Sequence, residues 1–87
     1  MLQYKRIIDK IQSKGIDTIL LDKDYKENRV IGILFKYEKV WYRIGYSYDK
    51  IKGYEYSISE GNSLNVLTIM SSNISYKHIR TFLDNLQ

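Results

Sequence analysis

From Asn28 to Ser59, turns apart, the large apolar residues follow a period of two, and this alternation restricts the fold of the chain more than any other feature. Ile31, Ile33, Phe35 and Tyr37 share one parity, against Val30, Gly32, Leu34 and Lys36 on the other. The pattern resumes with Val40, Tyr42, Ile44, Tyr46 and Tyr48 against Trp41, Arg43, Gly45 and Ser47. A period of two belongs to strands, whose successive side chains point to opposite faces. Two strands joined at Glu38-Lys39 satisfy both series. Setting Tyr37 opposite Val40 brings Phe35 to Tyr42, Ile33 to Ile44 and Ile31 to Tyr46 on one face. On the other face it brings Lys36 to Trp41, Leu34 to Arg43 and Gly32 to Gly45. Glu-Lys is not a dipeptide that two-residue hairpins favour, so here the register rests on side-chain pattern rather than on turn chemistry.

The sheet continues past Asp49-Lys50-Ile51-Lys52-Gly53, which reads as a second turn, into a strand with Tyr54, Tyr56 and Ile58 facing opposite to Glu55, Ser57 and Ser59. Pairing Tyr48 with Tyr54 keeps the same face apolar, and a meander is the economical topology. Glu60-Gly61-Asn62-Ser63 reads as a third turn. Leu64 to Met70 then supplies a strand whose register the pattern leaves open. Asp17 to Asp22, built around Ile19, Leu20 and Leu21, is a candidate first strand, separated from the others by the polar loop Lys23 to Glu27.

The two ends carry helical periods. Tyr4, Ile7, Ile8 and Ile11 form one stripe of a helix over residues 2 to 14, which Gly15 ends in a left-handed conformation. Ser75 caps a second helix from about Tyr76 to Leu86, with Ile74 placed to staple onto Ile79 and with Tyr76, Ile79, Phe82, Leu83 and Leu86 on one stripe. The expected fold is a single α+β domain over residues 1–87: an antiparallel meander of four to five strands with an N-terminal and a C-terminal helix packed on one face. A length of 87 residues leaves no room for two independent cores, and a chain without Cys has no disulfide to replace one.

Nine Tyr, many Ile and Lys, and no Ala or Pro follow a codon bias toward A and T, which points to a low-GC bacterium or to a phage or mobile element of one. The net charge of +4 comes entirely from the first half of the chain and favours solubility over a dedicated polyanion-binding tail. The basic start lacks the apolar run of a secretory signal, and no apolar run is long enough to span a membrane. A cytoplasmic location and no membrane partner are expected.

The inventory for catalysis is thin. His78 is the single imidazole and has no carboxylate beside it in sequence to orient it as a base. Asp22 to Asn28 invites comparison with a calcium loop, but Lys26 and Glu27 stand where the fifth-position oxygen ligand and the glycine belong, and Ile33 stands where the bidentate glutamate belongs. No glycine-rich phosphate loop, zinc-hydrolase helix or nucleophile elbow is present. A non-enzymatic protein without metal or cofactor is expected.

If the helices cover the tyrosine face, then Val30, Leu34, Lys36, Trp41 and Arg43 line the open face and become the candidate protein-binding residues. Gly32 and Gly45 on that face permit close approach to the backbone. The reading that follows is a small protein-binding module, such as an inhibitor or adaptor that a phage or mobile element directs at a host protein, with homo-oligomer formation open. The alternative is a nucleic-acid-binding domain that uses Arg6, Lys10 and Lys14 along the first helix with Lys50 and Lys52 in the second turn. In that reading Tyr46, Tyr48, Tyr54 and Tyr56 extend beyond the helices as a stacking platform. The helix, strands, helix order is similar to that of the double-stranded RNA-binding domain. That family grips RNA with a lysine cluster at the start of its last helix, where this chain has Ser75-Tyr76-Lys77-His78-Ile79-Arg80, so the resemblance is one of architecture and implies no function.

Overall fold

The alternating segment forms the centre of a five-stranded sheet. The computed structural model describes residues 3–24, 29–49, 51 and 53–86. The elements are α1 (Gln3–Gln12), β1 (Thr18–Asp24), β2 (Arg29–Tyr37), β3 (Val40–Asp49), β4 (Gly53–Ser63), β5 (Val66–Ile74) and α2 (Tyr76–Asp84). The strands lie in chain order, each antiparallel to the next. Between β2 and β3 the expected register holds pair for pair, from Tyr37 opposite Val40 to Ile31 opposite Tyr46. Tyr48 is opposite Tyr54, again as the shared face requires. Asp17 to Asp22 does join the sheet: β1 starts one residue later and runs to Asp24, along the outer side of β2.

Glu38 and Lys39 both take left-handed backbone angles, with φ of 49° and 71°. These are the angles of the primed turns whose twist matches that of the flanking strands, so the packing of β2 on β3 imposes a conformation that neither residue favours. Replacing the pair with Asn-Gly is therefore expected to stabilise the domain by about 1–2 kcal/mol, raising the melting temperature by about 5 °C or more. A thermal melt followed by circular dichroism checks this, and an unchanged or lowered midpoint contradicts it.

The third turn is not where the residue types suggested. Glu60 and Gly61 remain in β4, opposite Tyr42 and Trp41, and the chain reverses at Leu64-Asn65. Because β3 begins at Val40, its first residues need backbone partners, and β4 extends through the Gly-Asn-Ser segment to supply them. β5 consequently occupies Val66–Ile74 rather than Leu64 to Met70. Its pairing with β4 shifts register in three places, and Asn73 adopts a φ of 55°. Such irregularities break the period-two pattern, which is why the sequence leaves this strand unregistered.

Both helices cover the tyrosine face. Tyr4, Ile7 and Ile11 of α1 and Ile79 and Leu83 of α2 meet Ile31, Ile33, Phe35, Ile44, Tyr46, Tyr56 and Ile58 in one buried cluster. Ile8, Ile16, Tyr37, Tyr42, Ile74, Tyr76, Phe82 and Leu86 pack around it. Aromatic contacts run across the layer. Tyr46 lies 6.0 Å from Tyr4 and 5.2 Å from Tyr56, and Tyr76 lies 6.2 Å from Tyr56. At the other end Tyr42 stacks on Phe35 at 5.3 Å and meets Phe82 edge-on at 5.5 Å. The Ser75 hydroxyl accepts from the His78 amide at 3.2 Å, the N-cap expected of it. Gly15 takes a φ of 79° beyond the end of α1.

Six chain reversals separate α1 from α2, an even number, so the two helices run parallel. Their C-terminal ends meet. Lys10 pairs with Asp84 at 2.6 Å, and the Lys14 ammonium donates to the Leu86 carbonyl at 3.3 Å. A carboxylate at the end of α2 opposes the helix dipole, and Lys10 offsets that charge from the neighbouring helix. The hydrogen bond from Lys10 comes first, and with the charges of Lys10, Arg80 and Lys14 it holds the Asp84 carboxyl below its usual range. A depressed folded-state pKa stabilises the domain above the unfolded value, and that contribution disappears as pH falls through the folded one. Asp84→Asn is thus expected to lower the melting temperature slightly at neutral and alkaline pH and to converge with the parent at acid pH, so that the acid side of a plot of melting temperature against pH becomes flatter. The effect is small, because Asp84 is exposed.

Candidate functional site

The unbroken register of β1 to β4 fixes their two faces, and the face without helices is built from the odd-numbered side of β1, the even-numbered side of β2 and the odd-numbered side of β3 and β4. One row crosses the whole sheet: Ile19 of β1, Leu34 of β2, Arg43 of β3, Ser59 of β4 and Ile69 of β5. A second row holds Leu21, Gly32, Gly45 and Ser57. Lys36 and Trp41 face each other beside the first row, and Val30 and Ser47 beside the second. The five residues read from the sequence as a partner-binding set, Val30, Leu34, Lys36, Trp41 and Arg43, are therefore neighbours on one surface.

Their roles differ. Leu34 is only 6% exposed although no helix lies over it, so the surrounding side chains cover it and it acts as the floor of the surface. Trp41 and Val30 are half-buried, and Arg43 and Lys36 are exposed. The Lys36 ammonium stands 5.9 Å from the centre of the Trp41 ring, close enough for a cation–π contact that holds the indole against the sheet. The Arg43 guanidinium lies over Gly32, its Nε 3.1 Å from where a Cβ would sit. That glycine lets a long cationic side chain lie flat on the backbone.

Two shallow recesses open on this face, one of them beside Arg43. One, of about 340 Å³, is bounded by Ile16, Asp17, Ile19, Lys36 and Trp41 at the α1–β1 connection. The other, of about 270 Å³, lies among Val30, Arg43, Gly45, Ser57 and Ile69, with Glu55 at its rim. Sequence reasoning missed three contributors to this surface. Ile19 and Leu21 are 45% and 49% exposed and Ile69 is 66% exposed, so they extend the apolar area to both sides of the sheet. The consecutive run Ile19-Leu20-Leu21 conceals the face of each residue, and the shifts in β5 conceal that of Ile69.

The residues of the alternative reading are less well gathered. Arg6 is exposed on α1, but Lys10 and Lys14 are engaged with the end of α2. Lys50 and Lys52 lie outside the described residues. Tyr46 and Tyr56 are buried beneath the helices, at 5% and 3% exposure, and present no stacking surface. The side chains of Tyr48 and Tyr54 also lie outside the described set. Burial, followed by the charges of Glu60 and Glu38 and the neighbouring Tyr37, raises the Tyr42 phenol above its ordinary value. His78 is exposed on the first turn of α2. Among the described residues, no three His, Asp or Glu side chains gather where a metal ion would be held, and no helix is long and apolar enough to cross a membrane.

No protein family, no curated protein and no solved structure matches the chain.

Proposed function

We propose that this protein is a non-enzymatic binding module whose open sheet face docks a protein partner, in the manner of a small inhibitor or adaptor. One observation supports this reading above the others: Ile19, Leu21, Trp41, Val30 and Ile69 all lie exposed or half-exposed on the side of the sheet that the helices leave uncovered, interspersed with Arg43 and Lys36. Exposed apolar side chains gathered on one face in this way are the usual sites of protein association. Its composition fits an interface, with an aromatic anchor, an arginine beside it and aliphatic surroundings. Arg43 and Lys36 are the exposed charges of its central rows, with Asp17 and Glu55 at its margins, so the complementary partner presents an apolar surface with a carboxylate placed to meet Arg43.

The reading is tested by immobilising the chain and capturing partners from a bacterial lysate with four baits: the parent, Trp41→Ala, Arg43→Glu and Lys77→Ala. Lys77 is exposed on α2, on the opposite side of the molecule. A specific partner should be held by the parent and by Lys77→Ala, and lost from both open-face variants, each of which should still melt cooperatively. Capture that ignores both open-face changes sinks the proposal. So does tight RNA or DNA binding that falls steeply with salt and is lost on Arg6→Glu, which would transfer the function to α1.

A further inference from the structure

The two edges of the sheet are built differently. β5 is interrupted by three register shifts and a left-handed residue, devices that discourage an edge from accepting another strand. β1 has none of these. All seven of its residues pair with β2 in unbroken register, from Thr18 opposite Phe35 to Asp24 opposite Arg29. Its outer side therefore presents a regular row of backbone donors and acceptors. Ile19, Leu20 and Leu21 are 45%, 45% and 49% exposed, so both faces of this edge are apolar. A regular apolar edge is a template for strand addition.

We infer that β1 pairs antiparallel with β1 of a second copy, about a two-fold axis through Leu20 and normal to the sheet. This axis alone keeps the two strands antiparallel and both helix layers on the same side, giving one continuous ten-stranded sheet with an isologous contact. The charges along the strand select the register. With the axis at Leu20, Leu20 faces its own copy, Ile19 faces Leu21 twice, Thr18 faces Asp22, and Asp17 faces Lys23 at both ends. Moving the axis to Leu21 sets Lys23 against Ile19 and Asp22 against Leu20. Moving it to Asp22 opposes two like carboxylates, and moving it to Ile19 sets Asp17 against Leu21. Only the Leu20 register matches apolar with apolar and opposite charge with opposite charge. The inference concerns an edge and does not depend on what binds the open face, although pairing would join the two open faces into one surface.

Sedimentation equilibrium of the full chain over a wide concentration range tests it, with the parent expected to pass from the 10.4 kDa monomer to twice that mass. Asp17→Lys places like charges opposite each other at both ends and should weaken dimerisation about tenfold, and the exchanged pair Asp17→Lys with Lys23→Asp should restore it. Leu20→Lys opposes two ammonium groups at the axis and should leave a monomer. Since Leu20 also lies on the helix side, circular dichroism must show that this variant is folded. Asp17 is exposed and outside every strand, so its variants keep the test valid even if Leu20→Lys does not fold. A parent that stays monomeric at every concentration overturns the inference. So does a dimer that tolerates Asp17→Lys, one that the exchanged pair fails to restore, or one that Trp41→Ala disrupts while the β1 variants do not.

Discussion

Phe35→Ala is expected to lower the melting temperature by about 15 °C or more, corresponding to a loss of about 3–5 kcal/mol. Phe35 is fully buried, stacks on Tyr42 and belongs to the cluster that joins the sheet to both helices. Removing its ring leaves a cavity that rigid neighbours on two layers cannot close, so both the transfer and the cavity penalty apply. A domain of this size has little stability to lose, so such a variant is expected to be close to unfolding at room temperature. The adjacent residue serves as the control. Leu34 is almost as buried, but it lies on the open face, where only side chains of its own sheet cover it. Those side chains can settle into the vacated space, so Leu34→Ala should cost less than half as much. Chemical denaturation of the two variants measures the difference. Equal losses would mean that the open face is sealed as the core is, and would remove the proposed binding surface.

Gly61→Ala is expected to release β5 from the sheet. A Cβ at Gly61 would land on the Val66 carbonyl oxygen, with the Val66 carbonyl carbon 3.0 Å and the Leu67 Cα 3.2 Å away. These are backbone atoms and cannot rotate aside, so one strand must move. The cost expected for such overpacking is about 1–3 kcal/mol. It should fall mainly on the edge: amide hydrogens over residues 66–70 lose protection from exchange while those of β2 and β3 keep theirs. Gly15→Ala provides the contrast, since a Cβ there meets nothing within 4 Å and only the left-handed backbone resists it, at about 1 kcal/mol. If Gly61→Ala proves as mild as Gly15→Ala, β4 and β5 do not approach as closely as described.

Where the pattern was regular, the sequence could be read directly. The register of β2 on β3 followed from the alternation of Ile31, Ile33 and Phe35 with Ile44, Tyr42 and Tyr46, because a one-residue slip would turn every one of them to water. The α2 cap followed from a hydroxyl placed just before an apolar stripe. The candidate surface followed indirectly, since Val30, Leu34, Lys36, Trp41 and Arg43 are the opposite parity of the same two strands. What stayed hidden was governed by contacts distant in sequence. The turn at Leu64-Asn65 stands in place of the expected Glu60-Gly61-Asn62-Ser63 turn because β3 requires partners for its first residues, and no local propensity carries that demand.

By itself, then, the chain determined its two helical stripes, its central strand pairing and the separation of a tyrosine face from a tryptophan face, because each depends on the spacing of residues along a single element or between neighbours. The placement of both helices on the tyrosine side was also expected, as the one apolar face available to two amphipathic helices, but only the tertiary structure decided that Lys10 and Lys14 are occupied by the end of α2 and that Ile19, Leu21 and Ile69 enlarge the open face. Those outcomes depend on which surfaces meet across the sheet, and burial is shared among residues far apart in the chain, so no local pattern encodes it.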